Sequence, residues 1–323
     1  DGDPEDILEE ALGAPVRFLP YRRYLKKRSL RRRLWRWRRP QIAVVHLSGL
    51  ITGGERRGPV SRAAPARALA ELLGSLRRNP RVKGIVLRVD SPGGGAVASD
   101  RIRRVVQATA SEKPVVVSMG DIAASGGYYI ATAASTVVAS ASTLTGSIGV
   151  IGGKFVLRRV LDRLGIHRET RSPAGSNAEF FSPFHSFTAE ERTRYRKLLR
   201  HFYDTKFLPA VAEGRGLDRE AADRVARGRV WTGRQAQVLG LVDSLGGTED
   251  AIARACDRAG IDRERARVVV VEPKRRLAEW VFGGAVGPPG HSYVAYVAEI
   301  LALVEDLSRE DLLLLAPRLL RIR

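Results

Sequence analysis

The 323-residue chain predicts an α/β fold, with a mainly parallel sheet and helices packed outside it. Three observations carry this expectation. Short apolar runs suited to buried strands recur at 84–90 (GIVLRVD), 114–120 (PVVVSMG) and 136–140 (TVVAS). The first two are followed by turns of small residues, SPGGG (91–95) and DIAA (121–124). Those turns lead into helix-like segments, AVASDRIRRVVQATAS and SGGYYIATAAS, the latter opening at Ser125. Strand–turn–helix units in series build parallel sheets, because a parallel neighbour is reached only through a crossover.

The other elements follow in order. DPEDILEEAL (3–12) reads as a short helix capped by Asp3, with Pro4 in its first position and Gly13 at its end. IAVVHLSGLI (42–51) reads as a buried strand and 63–78 as a helix with leucines near helical spacing. GSIGVIGG (146–153) reads as a Gly-rich strand, 154–164 as a helix and 166–171 as a strand. Residues 172–187 have no periodicity and form a loop. Thr188 and Glu191 make a capping box for a long helix reaching about Glu213. VWTGRQAQVLGLVDSLGG (230–247) is a strand end, a Thr-capped helix and a turn, followed by a helix at 248–259 and a strand at 266–273. GAVGPPG (284–290) breaks the chain before two helical runs, 292–306 and 308–316, whose Leu312–Leu315 stretch suits packing on a partner or on the domain body. Three regions result: a helix and basic linker (1–40), the main domain (41–283) and a helical tail (284–323).

Composition narrows the function classes. With 44% hydrophobic and 28% charged residues the chain is ordinary globular protein, which excludes collagen, coiled coil and wholesale disorder. The single cysteine, Cys256, excludes an intrachain disulfide framework and a Cys-rich metal site. The five histidines (His46, His167, His185, His201, His291) are scattered without a ligand pattern, so no metal is expected. No run of eighteen apolar residues is present to span a bilayer. The net charge of +20 is concentrated: residues 17–39 hold twelve Lys/Arg and no acid, leaving 43 Lys/Arg against 35 Asp/Glu elsewhere. That block, with Tyr24, Trp35 and Trp37 interleaved, suits nucleic acid, an anionic membrane surface or a solvated linker. The numbering starts at Asp1 and the only methionine is Met119, so a fragment or processed product is expected.

Chemistry in α/β sheets gathers where strands end, since turns there expose backbone N–H groups. Two turns qualify: Ser91-Pro92-Gly93-Gly94-Gly95 and Ala123-Ala124-Ser125-Gly126-Gly127. Ser125 sits where strand passes into helix, among neighbours small enough to let another chain approach. The Gly126 amide, with amides around Gly93 and Gly94, would supply two donors to one developing oxyanion. Equally, Ser125 could serve only as a helix N-cap and the glycines only as tight turns. Neither turn matches a phosphate-binding loop.

Read together, LRVDSPGGGAVASDRIR (87–103), KPVVVSMGDIAASGGYYIA (113–131) and STLTGSIGVIGG (142–153) resemble the signal peptide peptidase A (protease IV) family. RVWTGRQAQVLGLVDSLGG (229–247) is similar to the distal motif of that family, and the resemblance covers most of 41–272. It implies a serine peptidase on the Clp protease/crotonase-like scaffold, a superhelix of ββα units. It also implies that Ser125 is the nucleophile, that Gly94 and Gly126 form the oxyanion hole, and that an extended peptide pairs beside Gly95, Ile148, Gly149 and Val150. No cofactor is implied.

Family members use a lysine as general base, which in short members lies in the segment spelled here SPAGSNAEFFSPF (172–184), where no lysine occurs. A long tandem form places the lysine in its first half and the serine in its second. This chain resembles that second half, so the lysine and a membrane anchor are expected upstream of Asp1. Lys154 is the best internal rival. Further expectations are signal peptides and other extended apolar peptides as substrates and a homo-oligomer, a tetramer of tandem chains. The expected location is the bacterial inner (cytoplasmic) membrane, facing the periplasm or cell exterior, with 17–39 aiding attachment and no nucleic acid bound. The alternatives are an inactive half-enzyme, a crotonase-like acyl-CoA enzyme, or an adaptor using only its basic arm.

Overall fold

The computed structural model describes residues 39–53, 64–165, 179–273 and 313–315. Its centre is three long apolar strands: β1 (Gln41–Ser48), β4 (Val82–Ser91) and β6 (Val115–Ala124). Between them lie β2 (Ile51–Thr52), β3 (Ala64–Pro65), α1 (Ala66–Arg78), β5 (Gly93–Gly95) and α2 (Ala96–Ala110). After β6 come α3 (Gly126–Ala131), β7 (Thr136–Ala139), β8 (Leu144–Gly146) and α4 (Arg158–Arg163). Then follow α5 (Ala189–Phe202), a π-helical turn (Tyr203–Phe207), α6 (Leu208–Arg215), α7 (Arg219–Val225) and β9 (Val230–Thr232). The remainder is α8 (Gly233–Val238), β10 (Ser244–Leu245), α9 (Thr248–Arg258), β11 (Arg267–Val271) and β12 (Leu313–Leu315).

The large sheet runs β10-β7-β6-β4-β1-β11, parallel along that path, with β8 parallel to the end of β6 and β9 antiparallel to β8. Its central strands read as unbroken apolar runs because both faces are covered. Successive side chains go to opposite faces. Ala43, Val45, Ile85, Leu87, Val115 and Val117 pack with Leu69, Leu73, Ile102 and Val106 of α1 and α2. Ile42, Val44, Val86 and Val116 pack instead on Ala251, Ile252 and Ala255 of α9. A small second sheet runs β12-β5-β2-β3. Thus β1–β2–α1, with β3 leading into the helix, and β4–β5–α2 each send one strand to the large sheet and one to the small sheet before a helix returns. This is the ββα winding and the outer-helix α/β architecture expected from sequence.

Several expectations change. DIAA is not a turn: β6 continues to Ala124 because β8 gives it a new neighbour, with Ile122 opposite Leu144 and Ala124 opposite Gly146. Gly93–Gly95 is a short strand rather than a turn, since Gly93 and Gly94 take φ of 112° and 155° and so run alongside Ile51 of β2. The strand predicted at 146–153 ends at Gly146, because Gly146 (φ 80°) and Ser147 (φ 49°) turn the chain away. The helix at 154–164 shortens to α4. The capping box is present: Thr188 Oγ1 accepts from Glu191 N (3.1 Å) and Glu191 Oε2 accepts from Thr188 N (2.8 Å). The helix it starts is not uniform. Pro209 has no N–H to donate to Thr205, and the π-helical turn sits where that bond is missing. Within the run predicted helical at 308–316, Leu313–Leu315 is a strand, because β5 offers it a sheet edge. The elements predicted at 3–12, 166–171 and 292–306 lie outside the described residues.

One polar cluster ties four elements together. Asp243 accepts two bonds from the Arg215 guanidinium (2.6 and 3.1 Å) and one from Val137 N (2.6 Å). Arg215 also donates to Gly240 O, and Tyr128 of α3 donates to Leu241 O. Burial pushes the Asp243 carboxyl up, but Arg215 and the Val137 amide outweigh it and leave its pKa below the ordinary carboxylate value. A depressed folded-state pKa means the contribution is complete above the unfolded value and is lost as pH falls toward the folded one. The Arg215 side chain is 8% exposed and that of Asp243 40%, so the ~3–5 kcal/mol for breaking a fully buried pair is discounted. We expect Asp243→Ala to lower stability by about 1–3 kcal/mol at neutral pH. In urea titrations the gap from wild type should narrow below about pH 4; a gap constant down to pH 2 would contradict this account.

Candidate active site

The site begins at an irregularity in β6. Against β4 the register moves from Val89↔Met119 to Ser91↔Ala123, so β6 carries extra residues at Gly120–Ile122. The bulge is held from two sides. Asp90 Oδ1 accepts the Ile122 N–H (3.2 Å), and Thr143 Oγ1 donates to Gly120 O (2.8 Å). Gly120 is required there, since a Cβ would stand 2.7 Å from that of Asp90. Beyond the bulge, Thr145 Oγ1 donates to Ala123 O (2.6 Å) and fixes the last turn of backbone before Ser125.

Ser125 caps α3 by position but not by side-chain bond: its φ is 52° and ψ −113°, and no side-chain cap bond forms. A non-glycine residue in that region is strained by about 1–3 kcal/mol and persists only where its surroundings impose it. They do here. Ser125 N donates to Gly146 O (2.8 Å), and Ser125 O accepts from Tyr129 N (2.8 Å). The Oγ is buried and, among the described residues, makes no hydrogen bond. A buried hydroxyl left unpaired is destabilising, so such groups are uncommon unless they serve a purpose. The serine therefore stands, buried and strained, at a strand-to-helix junction.

The second turn meets the first directly. Ser91 Oγ donates to Gly49 O (2.6 Å) and accepts from Gly93 N (3.1 Å), which locks the Ser91-Pro92-Gly93 corner. A Cβ on Gly126 would lie 3.3 Å from both Gly93 Cα and Gly94 N, and 2.5 Å from Ser99 Oγ. A Cβ on Gly94 would collide with Ile51 O and stand 2.6 Å from Ile51 N. The expected group Ser125, Gly126, Gly94 and Gly95 is therefore brought together. The first N–H groups of α3, Gly126 included, have no acceptor within their own helix.

The other expected residues lie further along. Ile148 is fully buried in the core and its carbonyl accepts from Gly228 N (2.8 Å). Gly149 is packed against Gly228. Gly149 and Val150 also line a cavity of about 1080 Å³ whose wall includes Arg196, Arg200 and Arg227 and does not include Ser125. Lys154 is engaged elsewhere: Nζ donates to Phe180 O (2.8 Å) and sits 4.4 Å from the centre of the Phe187 ring. Its pKa is lowered, chiefly by burial, with Glu191 and Glu179 opposing. Lys113 donates to Leu76 O and Asn79 O at the end of α1, while Lys83, Lys197 and Lys206 are exposed. Lys26, Lys27 and Lys274 lie outside the described residues.

Sequence reading missed Asp90, Ser99 and the Leu313–Leu315 strand. Ser99 had a readable signal, being a polar residue on the buried stripe of α2 between Ala96 and Ile102. The role of Asp90 depends on a bulge that no local pattern announces.

A strained serine thus stands beside a glycine edge strand on a parallel α/β core. Comparison with known proteins gives the class, a peptidase family. A model of peptidase family S49 matches residues 107–262. The chloroplastic serine protease SPPA of Arabidopsis thaliana is 39% identical over 241 residues, 73% of this chain and 35% of that protein. Protease 4 of Salmonella typhi is 41% identical over 222 residues, 68% of this chain and 34% of that protein. A putative protease of Synechocystis sp. is 33% identical over 83% of this chain and 90% of its own length. The chain belongs to peptidase family S49, among the SppA/protease 4 peptidases, and spans about a third of the plant and Salmonella relatives.

The close approach at Gly126 predicts a specific pattern of stability. Gly126→Ala should lower the thermal midpoint by several degrees, as overpacking costs about 1–3 kcal/mol. Adding Ser99→Gly should recover more than half of that loss, since Ser99 Oγ is the nearest obstacle. Equal midpoints for the single and double variants would show that the crowding lies elsewhere.

Proposed function

We propose that this chain carries the nucleophile of a serine–lysine endopeptidase and that its general base comes from outside these 323 residues. The observation that carries this reading is the Ser125 hydroxyl, buried, strained and without a hydrogen-bond partner among the described residues. It is held beside the Gly93–Gly94 backbone and the start of α3. A base with a vacant position at that oxygen would complete the site.

On this reading the reaction runs in two stages. A neutral lysine amine takes the Ser125 proton as Oγ bonds to the carbonyl carbon of the peptide. Desolvation of the amine lowers its pKa enough for this. The carbonyl oxygen becomes anionic and is held by the amides of Gly94 and Gly126, a donor of this kind being worth about 3–4 kcal/mol. The C–N bond breaks, the leaving amine takes the proton from the lysine, and water then hydrolyses the acyl-serine by the same route. The peptide lies extended beside Gly95, so its main chain supplies most of the recognition. Released signal peptides and similar apolar segments suit such a groove.

We further propose that the lysine belongs to the first half of a tandem protein and that such tandem chains assemble into a homo-oligomer, with a tetramer expected. The span of about a third of the longer relatives supports a partner half. Attachment to the bacterial cytoplasmic membrane, with the site facing outward, would come through an upstream anchor aided by the basic segment 17–39. Among the described residues no helix is long and apolar enough to cross a membrane. An acyl-CoA reaction on this scaffold would need the paired amides but not a hydroxyl at position 125.

Fluorophosphonate labelling tests the reading. The chain alone should label weakly, and mixing with a lysine-bearing first half should raise the rate about 10²–10⁴-fold, the range for general-base assistance. Ser125→Ala should abolish labelling. Lys154→Met should leave the partner-stimulated rate within about threefold, because that amine is already engaged with Phe180 O and the Phe187 ring. Full labelling of the chain alone, lost in Lys154→Met, would replace the external base with an internal one.

A further inference from the structure

The cavity of about 1080 Å³, whose wall leaves out Ser125, carries more positive charge than its own carboxylates answer. Five arginines line it: Arg196 and Arg200 of α5, Arg219 and Arg224 of α7, and Arg227 in the turn before β9. Against them stand three acids, Asp204, Glu220 and Asp223. The volume is at the upper end for small-ligand sites, roughly 1,000 Å³.

The ion pairs divide these arginines into two groups. Arg200 and Arg219 share Asp204, at 3.5 and 3.3 Å. Arg227 is held by Asp223, which also accepts the Tyr203 hydroxyl (2.6 Å). Arg196 and Arg224 pair with no carboxylate among the described residues. They come from different helices, so each of two walls offers a guanidinium with its donors free. The planar fork of such a group matches the oxygens of a phosphate or a carboxylate.

The frame around them is built. The π-helical turn puts Tyr203 and Asp204 on the wall, and such turns recur at functional sites. Arg227 takes φ 59° and Gly228 φ 75°, so the chain turns sharply there. A Cβ on Gly149 would stand 3.1 Å from Gly228 N and Cα, so at that point the wall is bare main chain.

Charge decides the class of ligand. Five guanidinium groups less three carboxylates leave an excess of two. One carboxylate answers half of it. One phosphate group carries about −1.5 to −2 at neutral pH and answers it alone. We propose that this cavity binds a dianionic phosphate group, taken between Arg196 of α5 and Arg224 of α7. The group arrives free in solution or as the headgroup of an anionic lipid, and the recognition chemistry is the same.

The test uses the full chain. Titration calorimetry with inorganic phosphate at fixed ionic strength reads the free source. Sedimentation with phosphatidylcholine vesicles, with and without phosphatidic acid, reads the lipid source. Arg196→Gln combined with Arg224→Gln should weaken binding at least about tenfold, as expected for losing charge-assisted bonds. Arg158→Gln combined with Arg159→Gln removes the same charge from α4, outside the cavity, and should change binding by less than about threefold. All four positions are exposed on helices, where glutamine keeps the helix propensity, so the fold is retained. A selective loss read with free phosphate supports a soluble ligand, and one read only with phosphatidic acid supports a headgroup. Acetate should bind more weakly than phosphate, and equal binding would overturn phosphate as the class. Binding that the two double variants weaken equally or not at all would overturn the site, as would no binding of either probe.

Discussion

Gly126 and the Gly93–Gly94 backbone lie so close that one methyl group on Gly126 would stand 3.3 Å from Gly94 N. That contact, two main chains meeting where side chains are absent, is the constraint on which the rest of the site depends. It joins the end of β6 to the strand β5, and so brings the serine at one strand end to the glycine backbone at another. The large sheet places those strand ends in register, since β4 and β6 are neighbours whose pairing runs up to Ser91 opposite Ala123.

The strain at Ser125 is sustained by polar contacts rather than by that packing alone. The Asp90 carboxylate takes the Ile122 amide that the bulge frees, and Thr143 and Thr145 bind the carbonyls on either side of Ile122. Downstream, Tyr128 reaches Leu241 O beside the Arg215–Asp243 pair, so α3 is anchored one turn after the serine. A bulge without these partners would leave buried amides and carbonyls unpaired and would relax to a regular ladder. The hydroxyl is thus positioned by its neighbours' bonds while keeping its own free.

The fold was largely legible because continuous apolar runs, small-residue turns and helical stripes are local signals. The strands at 42–51, 84–90 and 114–120 and the capping box at Thr188–Glu191 were read from a few residues each. What escaped depended on distant partners. The extension of β6 through DIAA needs β8, the strand character of Gly93–Gly95 needs Ile51, and the strand at Leu313–Leu315 needs a glycine edge more than two hundred residues earlier. An apolar leucine run reads as helix by propensity, and tertiary pairing overrides it. Ser125, Gly94 and Gly126 stood out as candidates because glycine runs after apolar strands are uncommon, whereas Asp90 reads as an ordinary strand-end acid.

The absence of a bond to Ser125 Oγ among the described residues also bears on why such a site would be divided between two segments. A lysine neutral enough to act as base must be desolvated, and a desolvated amine beside a free hydroxyl is costly to bury within one folding unit. Lys154 shows the usual resolution: its partly buried amine satisfies itself on the Phe180 carbonyl and the Phe187 ring. That leaves it unavailable to the serine. On the proposed reading, an amine delivered from a separate segment would let each part fold with its own polar groups settled.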